Sequence, residues 1–157
     1  MKTRIVLMMQ IKCGLRALVS LLVLLPAARA AAELPLAELS AGMYRIEAEV
    51  AASFETRAIG LMNRPEMAPQ HGMLFIFTED ATHCMWMRNT LLPLSVAFLD
   101  GDGRIINIEQ MQPRTEDNHC AARPARYALE MNLGWFAARG LKPGARISGI
   151  PKGAPPN

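Results

Sequence analysis

Residues 83–94 gather the side chains best equipped for chemistry: His83, Cys84, Met85, Trp86, Met87, Arg88, Asn89 and Thr90, ahead of Pro93 and Leu94. Three chemistries are open to them. Extended as a strand, the stretch would put His83, Met85 and Met87 on one face, because successive side chains of a strand alternate. An imidazole with two thioethers is a donor set for Cu(I). The plain alternative makes Met85 and Met87 adaptable core filler, the usual office of methionine. A second set joins His83-Cys84 to His119-Cys120, and two imidazoles with two thiolates suffice for zinc. In a strand, however, His83 and Cys84 face opposite ways and would share one ion only across a bulge. The third chemistry is a disulfide between Cys84 and Cys120.

The compartment bears on these. Lys2, Arg4, Lys12 and Arg16 precede a short apolar core at residues 17–25, and Ala28-Arg29-Ala30 follows as a small-x-small cleavage site. Residues 1–30 therefore read as a signal peptide. The apolar core is well short of the roughly 20 residues a bilayer span needs, so no permanent membrane anchor is expected. Cys13 lies ahead of that core, which rules it out as the acylated cysteine of a lipoprotein. The protein is expected to be periplasmic or secreted. There, two cysteines in the mature chain are most simply a disulfide. It closes a 36-residue loop, worth about 4 kcal/mol on chain entropy. A redox enzyme would want Cys-x-x-Cys, which is absent.

Export also changes the charge. The full chain is +3, but Lys2, Arg4, Lys12, Arg16 and Arg29 leave with the signal, so residues 31–157 carry 12 basic against 14 acidic groups. The basicity belongs to the leader and is no nucleic-acid footprint. The remaining 127 residues suit one domain with one hydrophobic core.

Several short elements must position the chemistry. Residues 31–42 read as a flexible lead-in. Residues 44–50 alternate, Tyr44, Ile46, Ala48 and Val50 against Arg45, Glu47 and Glu49, as a half-buried strand does. Ser53 is a plausible N-cap for a short helix to about Leu61, with Phe54, Ala58, Leu61 and Met62 on its inner side, and Pro65 stops it. Strands are predicted over residues 73–77, 82–88 and 94–99. Asp100-Gly-Asp-Gly103 lacks the later ligands of a calcium loop and reads as a hairpin turn into residues 104–109. A polar loop over residues 112–124 leads to a strand over residues 126–131. Asn132 opens a second short helix ending near Gly140, a last strand covers residues 145–150, and residues 151–157 form a disordered tail. Trp86 and Trp135 are expected as core anchors. The fold class is β-rich α+β, a small barrel or strongly curved, mostly antiparallel sheet with two short helices.

Arg57-x-x-Gly60-Leu-Met62-x-Arg64, Gly72-Met-Leu-Phe75, Trp86-Met-Arg-Asn-Thr90, Pro93-Leu94 and Phe98-x-Asp100 follow one another in a familiar order. Pro124-x-Arg-Tyr127-x-Leu-Glu130 and Gly134-Trp-Phe136 continue it. The pattern resembles the domain of unknown function 192 family across residues 43–150. The resemblance implies a compact β-rich domain, often exported, with no established activity, cofactor or catalytic residue.

Matching that pattern, Arg64, Arg88, Asn89, Thr90, Glu130 and Asn132 form a polar set. Two arginines with an amide and a hydroxyl could hold a carboxylate or another anionic group. The plainer reading has them serve loop backbone, with Glu130 in an ion pair to Arg64 or Arg88. For hydrolysis, no Gly-x-Ser-x-Gly or His-Glu-x-x-His occurs, motifs that would announce a serine or zinc hydrolase. The sequence thus points to a non-enzymatic module that binds a small ligand or a partner segment through Arg64, Arg88, Asn89, Thr90 and Glu130. No cofactor and no nucleic acid are expected. Two alternatives stay open: a Cu(I) or zinc protein using His83, Met85 and Met87 or the two His-Cys pairs, and a hydrolase using a carboxylate such as Glu130 as base.

Overall fold

The computed structural model describes residues 33–152. The expected signal peptide and the end of the expected tail lie outside the described residues. Strands β1 (Leu36–Ala41), β2 (Tyr44–Ala51), β3 (His71–Ala81), β5 (Leu94–Leu99), β6 (Ile105–Met111), β8 (Ala125–Asn132) and β9 (Ile147–Ser148) form one sheet in the order β6-β5-β8-β3-β2-β1-β9. A two-stranded sheet pairs β4 (Cys84–Met85) with β7 (His119–Cys120). The main sheet is antiparallel except where β2 and β3 run parallel, and parallel neighbours need a crossover. Helix α1 (Phe54–Ile59) supplies it. The sheet curls into a half-barrel. At one end β9 pairs with β1, while the segment leading into β9 bonds the start of β6, Ile147 N to Gly103 O and Ile105 N to Ala145 O, each at 2.8 Å. The two edges of the sheet are so tied together.

β3 shows why the sequence folds this way. Gly72 through Phe77 are all buried, as in a central strand covered on both faces. Alternation sends Leu74 and Ile76 into one apolar layer with Leu39, Ile46, Leu129, Trp135 and Phe136. Met73, Phe75 and Phe77 enter a second layer with Met87, Leu94, Val96, Phe98 and Met111. α1 and β4–β7 lie over the second layer. Gly72 is obligatory at the β3–β8 crossing, since a Cβ there would run into the Met131 thioether and the backbone carbonyl of Glu130. A carbonyl fixed in a ladder cannot step aside. Gly72→Ala is expected to cost about 2 kcal/mol through overpacking, read from urea unfolding; a loss under about 0.5 kcal/mol would show that the two strands can part.

Several expectations need correcting. The supposed lead-in contains β1: Ala37, Leu39 and Ala41 are buried in a full antiparallel register with β2. The second helix is a single 3-10 turn, Ala137–Arg139. Asn132 ends β8 instead of capping a helix, and its amide donates to the carbonyls of Met67 (3.1 Å) and Ala68 (3.2 Å). In α1 the capping box of Ser53 and Thr56 is present, yet Phe54 is 82% exposed and only Leu61, beyond the helix, is buried. The strand expected over residues 82–88 shrinks to Cys84–Met85, because the backbone turns to send Met87 into the second layer, where its N–H donates to Thr115 O (3.1 Å). The last strand is likewise only Ile147–Ser148.

The hairpin turn forms as expected, with the Asp100 carboxylate accepting from the backbone N–H of Arg104 (2.9 Å) and Asp102 (3.1 Å). Partial burial works to raise its pKa, but these N–H groups and the Arg123 guanidinium outweigh that and hold it below the usual range.

Candidate functional site

Cys84 and Cys120 stand directly opposite in the β4–β7 register and are joined by a disulfide. The bridge consumes both thiolates that zinc would need. It also fixes the neighbouring Met85 and Trp86 in place above the second apolar layer.

Beneath them lies a small cleft, lined by Arg57, Ile59, Gly60, Leu61 and Met62 from α1 and its exit, Phe75 from β3, Met85, Trp86 and Thr90 from the cystine segment, and Glu130 from β8. Its volume is about 30 Å³, the space of a water molecule or one small head group. The walls are held by backbone. Asn63 and Asn89 both take the left-handed conformation (φ 60° and 58°), which asparagine tolerates better than most residues. Asn63 N donates to Asn89 O at 2.9 Å and so ties the turn after α1 to the turn before Thr90. Thr90 N donates to Met87 O (3.0 Å), which closes that second turn.

Glu130 forms the floor. It is 4% exposed, set among Met73, Phe75, Val96 and Phe98 on the same sheet face. The expected ion pairs are not made. Arg64 instead grips Glu49 through both guanidinium nitrogens, Nη2 to Oε2 at 2.6 Å, and this hydrogen bond holds its pKa above the usual value. Arg88 pairs with Glu116 (3.4 Å) and lies 5.5 Å over the Trp86 ring. Arg57 turns its guanidinium to the carbonyls of Ala52 and Ile76. Burial alone therefore governs Glu130 and pushes its pKa up to about 8. Near neutral pH burial favours the protonated carboxyl, which can donate as well as accept.

Of the expected polar set, the structure brings Thr90 and Glu130 into one cleft. Asn89 serves the wall by its backbone. Arg88 lies over Trp86 at the rim, and Asn132 binds the loop after α1. Arg64 lies in a separate, open groove of about 520 Å³ with Glu66, Met67, Ala68, Pro69 and His71. Arg64 is matched there by Glu49, and His71 Nε2 lies 3.2 Å from Glu47. The proposed copper ligands separate: the His83 ring stacks on Phe77 with centroids 3.6 Å apart, Met87 is fully buried and Met85 lines the cleft. Among the described residues no cluster of three or more His, Cys, Asp or Glu is placed to hold a metal. Trp135 is a core anchor as expected, whereas Trp86 is 45% exposed at the rim. Sequence reasoning did not connect Gly60, Met62 and Phe75 with Glu130, though all stand in the motif stretches that carried the family resemblance.

Comparison with known proteins follows the same pattern. The family DUF192, described as uncharacterized ACR, matches residues 37–149. No curated protein matches the chain significantly. Among solved structures, the chain resembles a protein from Sinorhizobium meliloti 1021 described as a candidate transcription regulator, at 36% identity and TM-score 0.72, over 76% of this chain and 97% of that one. A protein of unknown function from Novosphingobium aromaticivorans DSM 12444 is similar at 33% identity and TM-score 0.70, over 78% of this chain and 96% of that one.

Proposed function

The chain belongs to the DUF192 family, and from that premise we propose that it is an exported, non-enzymatic ligand-binding module whose site is the Glu130 cleft. One observation carries the reading: motif stretches far apart in sequence, around Arg57–Met62, Phe75, Trp86–Thr90 and Glu130, converge on one cleft. A sheet needs no such convergence on an unpaired carboxyl, and burying one costs stability. Catalysis has less support. The other polar side chains lining the cleft are Thr90, Arg57 and the Trp86 indole, a set without an evident nucleophile–base pair.

Export is supported by the leader pattern of residues 1–30 and by the disulfide, which persists in oxidising compartments. No helix among the described residues is long and apolar enough to cross a membrane. The ligand is placed among small molecules and short side-chain groups because residues 31–157 carry 12 Lys and Arg against 14 Asp and Glu, a poor balance for phosphate backbone. The S. meliloti relative's description makes DNA retention at low salt the control.

A protein-observed NMR fragment screen tests the site. Ligands are expected to move the Gly60 and Thr90 amides and the Trp86 indole together. Trp86→Ala, at an exposed position, should weaken them about tenfold, the scale of a rim aromatic, with little change in thermal midpoint. Hits that gather instead in the Arg64–His71 groove would move the site there.

A further inference from the structure

Resting on that reading, we infer that the Glu130 cleft takes a primary ammonium group, carried by a small amine or by a lysine side chain of a partner segment. The ammonium would sit between the Glu130 carboxylate, the Thr90 hydroxyl and the face of Trp86.

The argument begins with what the carboxyl lacks. Glu130 is buried, lines the cleft and has no ion pair or hydrogen bond from its carboxyl among the described residues. The partner such a group gains most from is a cation with N–H donors, since charge-assisted hydrogen bonds are roughly twice as strong as neutral ones. The cleft holds about 30 Å³, which suits a head group of water's size, such as an ammonium, better than a bulkier cation. Trp86 offers a ring of the best type for a cation–π contact. Arg88 lies over that ring at 5.5 Å, so the ammonium would need the ring's other face. Ile59 and Trp86 leave an apolar rim, 55% and 45% exposed, suited to the alkyl chain behind an ammonium.

The strands beside Glu130, β3 and β5, turn only apolar side chains to its face, Met73, Phe75, Val96 and Phe98. Among the described residues, Arg57 of α1 is the one other charged residue lining the cleft, and its guanidinium is engaged by the Ala52 and Ile76 carbonyls. From the cystine segment, Arg88 is matched by Glu116. β3 contributes Phe75, which is uncharged. Binding then proceeds with a defined proton: the ammonium enters with its charge, Glu130 ionises, and the carboxyl proton leaves to solvent.

Titration of the ¹⁵N-labelled oxidised protein with methylammonium chloride, against sodium and tetramethylammonium chloride, decides the matter. Methylammonium is expected to shift the Gly60, Thr90 and Trp86 signals while both control ions leave them in place. Its affinity should rise about tenfold from pH 6 to pH 7 and level off above pH 8, as the fraction of ionised Glu130 does. Glu130→Gln should abolish the shifts, and Trp86→Ala should weaken them severalfold. Parallel titration with a lysine-containing peptide separates the sources: at least tenfold tighter binding than methylammonium assigns a partner lysine, and weaker binding assigns a free amine. Equal shifts with tetramethylammonium, or methylammonium binding that survives in Glu130→Gln, overturn the inference. Shifts with neutral fragments alone overturn it while keeping the cleft as a ligand site. No shift there with any probe overturns both readings.

Discussion

Glu130→Gln is expected to make the protein more stable at neutral pH, by about 3 kcal/mol or roughly 10 °C in thermal midpoint. In the unfolded chain the carboxyl titrates near 4.5, and in the fold near 8, so folding takes up a proton. Below about pH 4.5 both states are protonated and Glu130 costs nothing. Between that pH and about 8, stability falls by roughly 1.4 kcal/mol per unit, and above 8 both states are ionised and the loss is complete. The wild type should therefore grow more stable on acidification from pH 8 toward pH 5. Carboxylates of the ordinary kind, such as Asp100 with its depressed pKa, act in reverse: their contribution is held at higher pH and lost as pH falls further. Glutamine keeps the shape and removes the proton uptake, so the variant's midpoint should be nearly flat from pH 6 to 8. Denaturation across pH measures this directly. Equal stability of the two proteins at pH 7 would mean that Glu130 is hydrated or paired in solution, and the cleft would lose its unpaired carboxyl. A gain on removal is what a functional carboxyl predicts, since sites commonly sacrifice stability.

How much of this could be read beforehand differs by residue. β5 was legible to the residue, and β2 nearly so, because an apolar or alternating run bounded by turn signals has one interpretation as a strand. The Asp100 turn was legible for a local reason, a side chain that bonds its own backbone. β1 was not legible: its inward residues are Ala37, Leu39 and Ala41, too small to register as a core face, and its stability comes from β2 and β9. Phe54 misled for the converse reason, since an aromatic on a helix is expected inside and this one faces solvent. At the site, sequence supplied Thr90 and Glu130 as members of one set but assigned Glu130 an arginine. Which carboxylate an arginine takes is set by register: Arg64 reaches Glu49 on β2, fifteen residues away, and Arg88 reaches Glu116 in the loop before β7. With both arginines engaged elsewhere, the carboxyl is left alone, and its unpaired state appears only in three dimensions.

Opening the disulfide should have the largest effect of any single change to the domain, a loss of about 4 kcal/mol on the loop-entropy estimate for the 36-residue separation. The two strands it joins are two residues each, and a two-stranded pairing of that size is marginal in water. Other ties exist. Asn107 of β6 donates from Nδ2 to Cys120 O (3.0 Å) and accepts at Oδ1 from Ala122 N (3.0 Å), and Ala121 N donates to His83 O (2.9 Å). These orient β7 but leave Met85 and Trp86 with no covalent anchor. The loop also encloses the β5–β6 hairpin, the edge of the main sheet, so releasing the bridge widens the unfolded ensemble for a large part of the domain. Urea unfolding of the oxidised protein beside Cys84→Ala/Cys120→Ala, which carries no thiol to react, measures the loss. If it is under about 1 kcal/mol, the Asn107 ties hold the flap and the disulfide is incidental to it. If it approaches the full estimate, the cleft itself depends on oxidation: Trp86 adjoins the cystine segment, its indole should become mobile in the variant, and ligands of the Glu130 cleft should weaken with it. A protein so built would bind only in its oxidised form, and the cystine would be a condition of the site and not only of the fold.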